Sequence, residues 1–383
     1  MKESSVAPWW QTRRAVLLSL LGDRDCAYVY DLATVRTRAA ELAALRSITR
    51  VFYALKANPH PAVLQALAAL GLGFECVSRA EVERVLETVP SLSRDRLLFT
   101  PNFAPRAEYY WALERGMRVT VDNLQVLRDW GSLFRGRDIF LRLDATRGRG
   151  HHEKVRTGGR HSKFGVPPED IPELPAAVAA TGARVVGLHA HGGSGSFDLE
   201  SWLEPARVLA ACAAAFAGAQ ILNLGGGLGV PDRPGCPRVD LAGLDRALGE
   251  FRTRHPAFEL WLEPGRYLVA EAGVLLARVT QTKGKGDHRY VGVATGMNSL
   301  IRPALYGAHH EVRNLTRLDE PDAQTCTVVG PICESGDELA RNCRLPRCEE
   351  GDVLLVADAG AYGHAMASHY NLRAPASELV MPE

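Results

Sequence analysis

A closed (β/α)8 TIM barrel followed by a predominantly β domain is the α/β fold that this sequence predicts, and three observations predict it. Between residues 30 and 265, short β-prone runs alternate with Ala-, Leu-, Glu- and Arg-rich helical runs, the pattern of a parallel sheet with helical crossovers. Eight such runs occur, the number that closes a barrel rather than an open sheet. Polar and glycine residues gather directly after the runs, at the face where barrels assemble their active sites.

In chain order, the first run, 50–55, ends in Lys56-Ala57-Asn58, and the second, 73–77, ends in Ser78. Runs 96–100, 117–121 and 138–143 lead to Asn102, Asp122-Asn123 and Asp144. Run 184–189 precedes His191-Gly192-Gly193-Ser194, run 220–224 precedes Gly225-Gly226-Gly227, and run 259–262 precedes Glu263-Pro264-Gly265-Arg266. Past residue 266 the texture changes to Val-, Thr-, Tyr- and Gly-rich runs at 275–281, 290–293, 325–329 and 352–356, with turns expected at Lys283-Gly284 and Gly351-Asp352. The expected domains are therefore a barrel over 28–265 and a β domain over 266–383, with residues 1–27 packed on the latter. Residues 15–22 read as an amphipathic opening helix. Arg13-Arg14 precede them as in a signal peptide, but Asp23-Arg24-Asp25 follow where a cleavage site belongs.

Charge narrows the function. Lys plus Arg number 45 against 44 Asp plus Glu, so no global field draws the chain to nucleic acid or to an anionic membrane. No apolar run reaches the roughly 18–20 residues that span a bilayer. The eight cysteines form no Cys-x-x-Cys pair, which argues against zinc ribbons and disulfide scaffolds and for reduced thiols in the cytoplasm. The basic segment 146–163 lacks interleaved aromatic residues and reads as a solvated loop. Small-molecule chemistry is what remains.

Lys56 is a lone amine after an apolar run, and partial desolvation there favours the neutral form that attacks a carbonyl. The loop Gly225-Gly226-Gly227 can present backbone N–H groups to a phosphate without Cβ obstruction. The loop at His191 adds an aromatic ring and the Ser194 hydroxyl, and the turn at Glu263 adds a carboxylate and the Arg266 guanidinium. A lysine, an acid, a flat ring and phosphate-binding loops are together the needs of pyridoxal 5'-phosphate. The spacing His189-x-His191 invites a metal, but no third ligand stands at suitable spacing and none is expected; the adjacent pairs His151-His152 and His309-His310 are poorer still. Cys333 taken alone reads as a buried structural thiol. Arg302 and Tyr306, four apart, share a face if that segment is helical, and could grip a carboxylate.

Read together, the segments 53–58, 161–165, 191–195, 224–229, 263–266, 297–306, 333–337 and 358–362 resemble the pyridoxal-phosphate decarboxylases built on an alanine-racemase-like barrel, most closely the diaminopimelate decarboxylases. The resemblance implies that Lys56 carries the cofactor, His191 stacks on its ring, Glu263 binds its pyridine nitrogen, and Ser194, Gly225 to Gly227 and Tyr362 hold its phosphate. It further implies that Arg266, Arg302, Tyr306, Glu334 and Tyr362 meet an amino-acid substrate. The implied assembly is a homodimer with shared active sites, in which Cys333 donates a proton and Glu334 serves the neighbouring subunit's site, and Lys163 pairs with Asp337 across the interface. The implied reaction releases carbon dioxide from meso-2,6-diaminopimelate to give L-lysine. Glu334 after Cys333 argues against a decarboxylase of ornithine, lysine or arginine, whose polyamine-pathway members have Asp there, and Glu263 argues against a racemase. A non-enzymatic pyridoxal-phosphate carrier would lack the β domain. The chain departs from the family at Phe74-Glu75, 79–82 and Gly195, which bears on local substrate contacts, and its short amino terminus leaves room for a module of a fusion to aspartate kinase, without the usual early strand given to the β domain.

Overall fold

The computed structural model describes residues 7–144, 162–233 and 235–382. They fall into two compact units, the first of Arg36–Val230 and Pro237–Leu268, the second of the described residues before 36, after 268 and around 231–236. The sequence placed the first boundary at 28, but strand β1 (Cys26–Tyr30) belongs to the second unit, because it pairs there with strands far along the chain. The barrel also runs three residues past 265.

The eight strands expected for the barrel are all present: β2 (Arg50–Ala54), β3 (Gly73–Cys76), β4 (Leu97–Phe99), β5 (Arg118–Val121), β6 (Asp138–Arg142), β7 (Arg184–His189), β8 (Ile221–Asn223) and β9 (Glu259–Leu262). Each pairs in parallel with the next, and β9 closes on β2 through Arg50↔Trp261 and Val51↔Leu262. Their runs are apolar because a parallel barrel strand is buried on both faces. Inside the barrel, Phe52, Leu98, Phe140 and Trp261 form a plug, with Trp261 5.0 Å from Phe52 and 5.4 Å from Phe140, ring centre to centre. The plug makes the barrel a packed core and confines chemistry to its rim.

In the second unit, β10 (Gly273–Lys285) is the spine. It pairs antiparallel with β1, with β11 (His288–Val293) and with β15 (Val353–Val356). The sheet continues through β12 (Val312–Asn314) beside β15, and through β13 (Gln324–Val329) and β14 (Glu338–Leu345) beyond β11, while β16 (Ser377–Val380) lies parallel to β1. Alternation along β10 sorts two cores. Val274 and Leu276 join Trp10, Leu17 and Leu21 on one side, and Leu275, Ala277 and Val279 join Tyr28 and Tyr30 on the other. The opening helix Arg14–Leu21 therefore covers a sheet face, as its pattern predicts. The turn expected at Lys283-Gly284 falls instead at Gly286-Asp287, a two-residue hairpin loop closed by Lys285↔His288 and entered through Gly286 at φ +58°. The Gly351 turn is where the sequence puts it, at φ +87°. Among the described residues no helix is long and apolar enough to cross a membrane.

Candidate active site

Lys56 sits two residues past the end of β2, in the 3-10 turn Leu55–Ala57, rather than in the strand itself. The turn is braced on both sides: the Tyr53 hydroxyl donates to Asn58 O at 3.0 Å, and Ala54 N donates to Pro264 O at 3.1 Å. The Lys56 Nζ donates to Glu75 Oε2 at 2.9 Å. Glu75 is buried, and its other oxygen accepts from the Thr100 hydroxyl. Register explains the meeting, since Ala54 and Glu75 are partners across β2 and β3, which brings Glu75 beside the Lys56 turn. Glu75 is one of the departures noted in the sequence; the structure makes it the lysine's ion-pair partner.

Glu263 is buried at the end of β9, and each of its oxygens has a donor. Asn223 Nδ2 donates to Oε1 at 2.7 Å, and His189 Nε2 donates to Oε2 at 3.1 Å. Burial alone would push this carboxyl up. The His189 ring and its hydrogen bond, the Lys56 charge and the Asn223 amide outweigh it, and the carboxyl is held below its ordinary value. His191 follows the opposite logic. Burial first, then the charges of Arg142 and Lys56, lower its pKa to about 3, so the ring is neutral near pH 7. Its Nδ1 accepts from Gly226 N at 3.2 Å, which places the ring's proton on Nε2.

The glycine loop lies between these side chains. A Cβ on Gly226 would sit 2.3 Å from Glu263 O, and one on Gly227 2.2 Å from Gly193 O. Glycine is thus required by close backbone approach. The loop is fastened by Glu263 N to Gly225 O at 2.8 Å, Gly225 N to Asn223 Oδ1 at 3.0 Å and Trp202 Nε1 to Gly226 O at 2.9 Å. Among the described residues, Gly227 N–H has no protein acceptor. Arg266 Nη2 reaches the Ser194 hydroxyl at 3.4 Å.

Other strand-end residues do structural work. Ser78 Oγ accepts from Glu81 N at 3.2 Å while Glu81 Oε2 accepts from Val77 N at 2.7 Å, a reciprocal cap on helix Arg79–Thr88. Asn123 caps helix Leu124–Asp129 through Gln125 N at 2.9 Å. Sequence reasoning passed over Thr100, Asn223 and Arg142. The last is a half-buried arginine in an apolar strand, with its guanidinium 4.6 Å from the Phe164 ring centre. That isolated charge was the available signal.

In the β unit, Arg302 and Tyr306 bound the short helix Arg302–Tyr306 as the spacing predicts. Tyr362 adopts a left-handed backbone, φ +57°, in the turn after β15. Cys333 and Glu334 are exposed in a turn before β14, so the expectation of a buried structural thiol fails for Cys333. Asp337, expected to pair with Lys163 across the interface, is engaged within its own chain. Asp337 is buried and accepts from Met297 N at 2.6 Å and Ile332 N at 2.7 Å, organising its own loop. The histidines 151, 152 and 161 and most of the basic segment 146–163 lie outside the described residues.

These fittings suit pyridoxal phosphate: a lysine with a carboxylate partner, an ionised acid, a neutral ring, and a Cβ-free loop with an N–H that meets no acceptor among the described residues. The family described as "Pyridoxal-dependent decarboxylase, pyridoxal binding domain" matches residues 32–270, and the chain belongs to it. The diaminopimelate decarboxylase of Methanothermobacter thermautotrophicus is 38% identical over 87% of this chain and 80% of its own. That of Deinococcus radiodurans is 35% identical over 92% and 89%. The crystal structure of the Helicobacter pylori diaminopimelate decarboxylase complexed with L-lysine superposes with a TM-score of 0.87 at 28% identity, over 96% of this chain and 94% of that one. Within the family, this chain's place is with the diaminopimelate decarboxylases.

Proposed function

We propose that this protein decarboxylates meso-diaminopimelate to L-lysine and carbon dioxide with pyridoxal phosphate, as a homodimer. The observation that carries the reading is the buried Glu263 carboxylate, kept ionised by His189 and Asn223 in the same rim as Lys56. The bound cofactor supplies an electron sink for the pair released when the bond from Cα to its carboxylate breaks.

The protein's part is to bind, orient and move protons. Lys56 Nζ would hold the cofactor at its aldehyde, and Glu75, which accepts from Nζ at 2.9 Å, fixes where that amine stands. Glu263 holds the proton on the cofactor's ring nitrogen. His191 offers a flat, uncharged face that adds no positive charge to the site. Ser194, Gly225, Gly226, Gly227 and Tyr362 hold the phosphate, with Arg266 orienting the Ser194 hydroxyl. Arg302 and Tyr306 read the carboxylate that the product keeps. Cys333 and Glu334 act on the partner subunit's substrate, Cys333 delivering the proton that replaces carbon dioxide; their exposure in the single chain supports that assignment.

The test is carbon dioxide release measured with meso-diaminopimelate, ornithine and L-lysine, with Lys56→Ala as the inactive control. Release from meso-diaminopimelate alone is expected; faster release from ornithine would overturn the substrate.

A further inference from the structure

Arg302 is buried at the start of its helix, and its Nη1 donates to His310 Nε2 at 3.0 Å. The other nitrogen of that ring, Nδ1, lies 2.8 Å from Ala357 O. A carbonyl oxygen can only accept, so Nδ1 carries the proton and Nε2 is left with the lone pair that receives the guanidinium. His310 is itself buried, at 2% exposure, so water does not compete for either bond. The anchor is firm, because Ala357 N donates to Glu311 O at 2.8 Å, one step beyond the Val312↔Val356 pair of β12 and β15. One imidazole thus ties Arg302 to the backbone of two paired strands.

We infer that His310 is a positioning residue for substrate selection: through Nε2 it fixes the Arg302 guanidinium that reads the carboxylate retained in the product. The inference rests on the functional reading above and deepens it. A long arginine left untethered spreads over several rotamers, and ordering it on binding weakens recognition. A tethered guanidinium is held in one orientation, and its planar fork suits a planar carboxylate. The ligand class selected is an α-amino acid with its carboxylate intact, over the corresponding diamine.

The experiment compares L-lysine with 1,5-diaminopentane, the same carbon chain without the carboxylate, by equilibrium binding to the holoenzyme and its variants. His310→Phe keeps the ring and removes the acceptor; His310→Gln removes the ring and keeps an acceptor. His310→Phe is expected to weaken L-lysine about tenfold, the loss of a hydrogen bond to a charged group, and to leave 1,5-diaminopentane unchanged. KM for meso-diaminopimelate rises in parallel while kcat changes little, and His310→Gln restores most of the L-lysine affinity. Equal weakening of both ligands, or His310→Phe behaving better than His310→Gln, means the ring acts by packing and overturns the inference. Nitrogen NMR of the wild-type holoenzyme decides independently of any variant: a proton on Nδ1 is expected, and a proton on Nε2 refutes the pair. Should the wild type neither bind L-lysine nor decarboxylate, the functional reading falls, and the NMR result still decides the Arg302–His310 bond.

Discussion

Gly226→Ala tests whether the glycine loop and Glu263 form one mechanical unit. The added Cβ would lie 2.3 Å from Glu263 O and 3.1 Å from Glu263 C, where ordinary contacts begin at 3.4 Å. Both neighbours are backbone, so no side chain can swing aside, and the loop must part from β9 by about 1 Å. That movement opposes the bonds from Glu263 N to Gly225 O and from Trp202 to Gly226 O. Overpacking of this kind costs about 2 kcal/mol and each weakened bond up to about 1 kcal/mol more. A displacement of Glu263 of that size is expected to lower kcat/KM about 100-fold. The control is Gly249→Ala, inside helix Leu241–Arg254 with open space beside it, which is expected to stabilise by about 0.5–1 kcal/mol and leave turnover unchanged. Urea unfolding and steady-state kinetics on the three proteins give the comparison. If Gly226→Ala matches Gly249→Ala in both, the close approach does not govern the site and the reasoning is refuted.

His191 makes stability depend on pH with a definite sign. Its pKa is depressed from 6.5 to about 3 by burial, so between those values the unfolded chain binds more protons and stability falls as pH is lowered. In His191→Phe that slope should be shallower by up to one proton's worth, about 1.4 kcal/mol per pH unit, in urea midpoints taken across the window; an unchanged slope would mean the ring is not buried neutral. The proposed sharing of sites between subunits is checked by complementation. Lys56→Ala and Cys333→Ala chains, each inactive alone, are expected on mixing and subunit exchange to recover about a quarter of wild-type activity, because half of the dimers then hold one intact site. No recovery despite exchange would place Cys333 in its own chain's site.

All eight barrel strands were legible because a parallel strand buried on both faces leaves an uninterrupted apolar run, and no distant information is needed to see it. The β unit was half legible. β14 reads Glu-Leu-Ala-Arg-Asn-Cys-Arg-Leu, an outer strand with much of its surface in water, and its charges hid it. The expectation of a β domain without its early strand fails at β1, because its partner β10 lies more than 240 residues on and only that pairing assigns it to the second unit. The same limit applies in the site. Lys56, His191, Glu263 and the glycine loop stand out by residue type at strand ends. Glu75 and Asn223 gain meaning only from register, which sets Glu75 opposite Ala54 and Asn223 level with Trp261.

His189, the last residue of β7, and His191, two residues on, meet different partners. The two rings share an alternation, yet their nitrogens serve different partners: His189 Nε2 donates to Glu263, while His191 Nδ1 accepts from the glycine loop. The first sustains a buried anion that desolvation would otherwise neutralise. The second must stay uncharged, since a protonated Nδ1 could not accept from Gly226 N and would add a cation beside Arg142 and Lys56. One imidazole therefore holds the acid in its ionised form, and the other fastens the phosphate-type loop at the same rim. The pairing of functions, more than either histidine, is what makes this rim suited to a cofactor that is anionic at its phosphate and protonated at its ring.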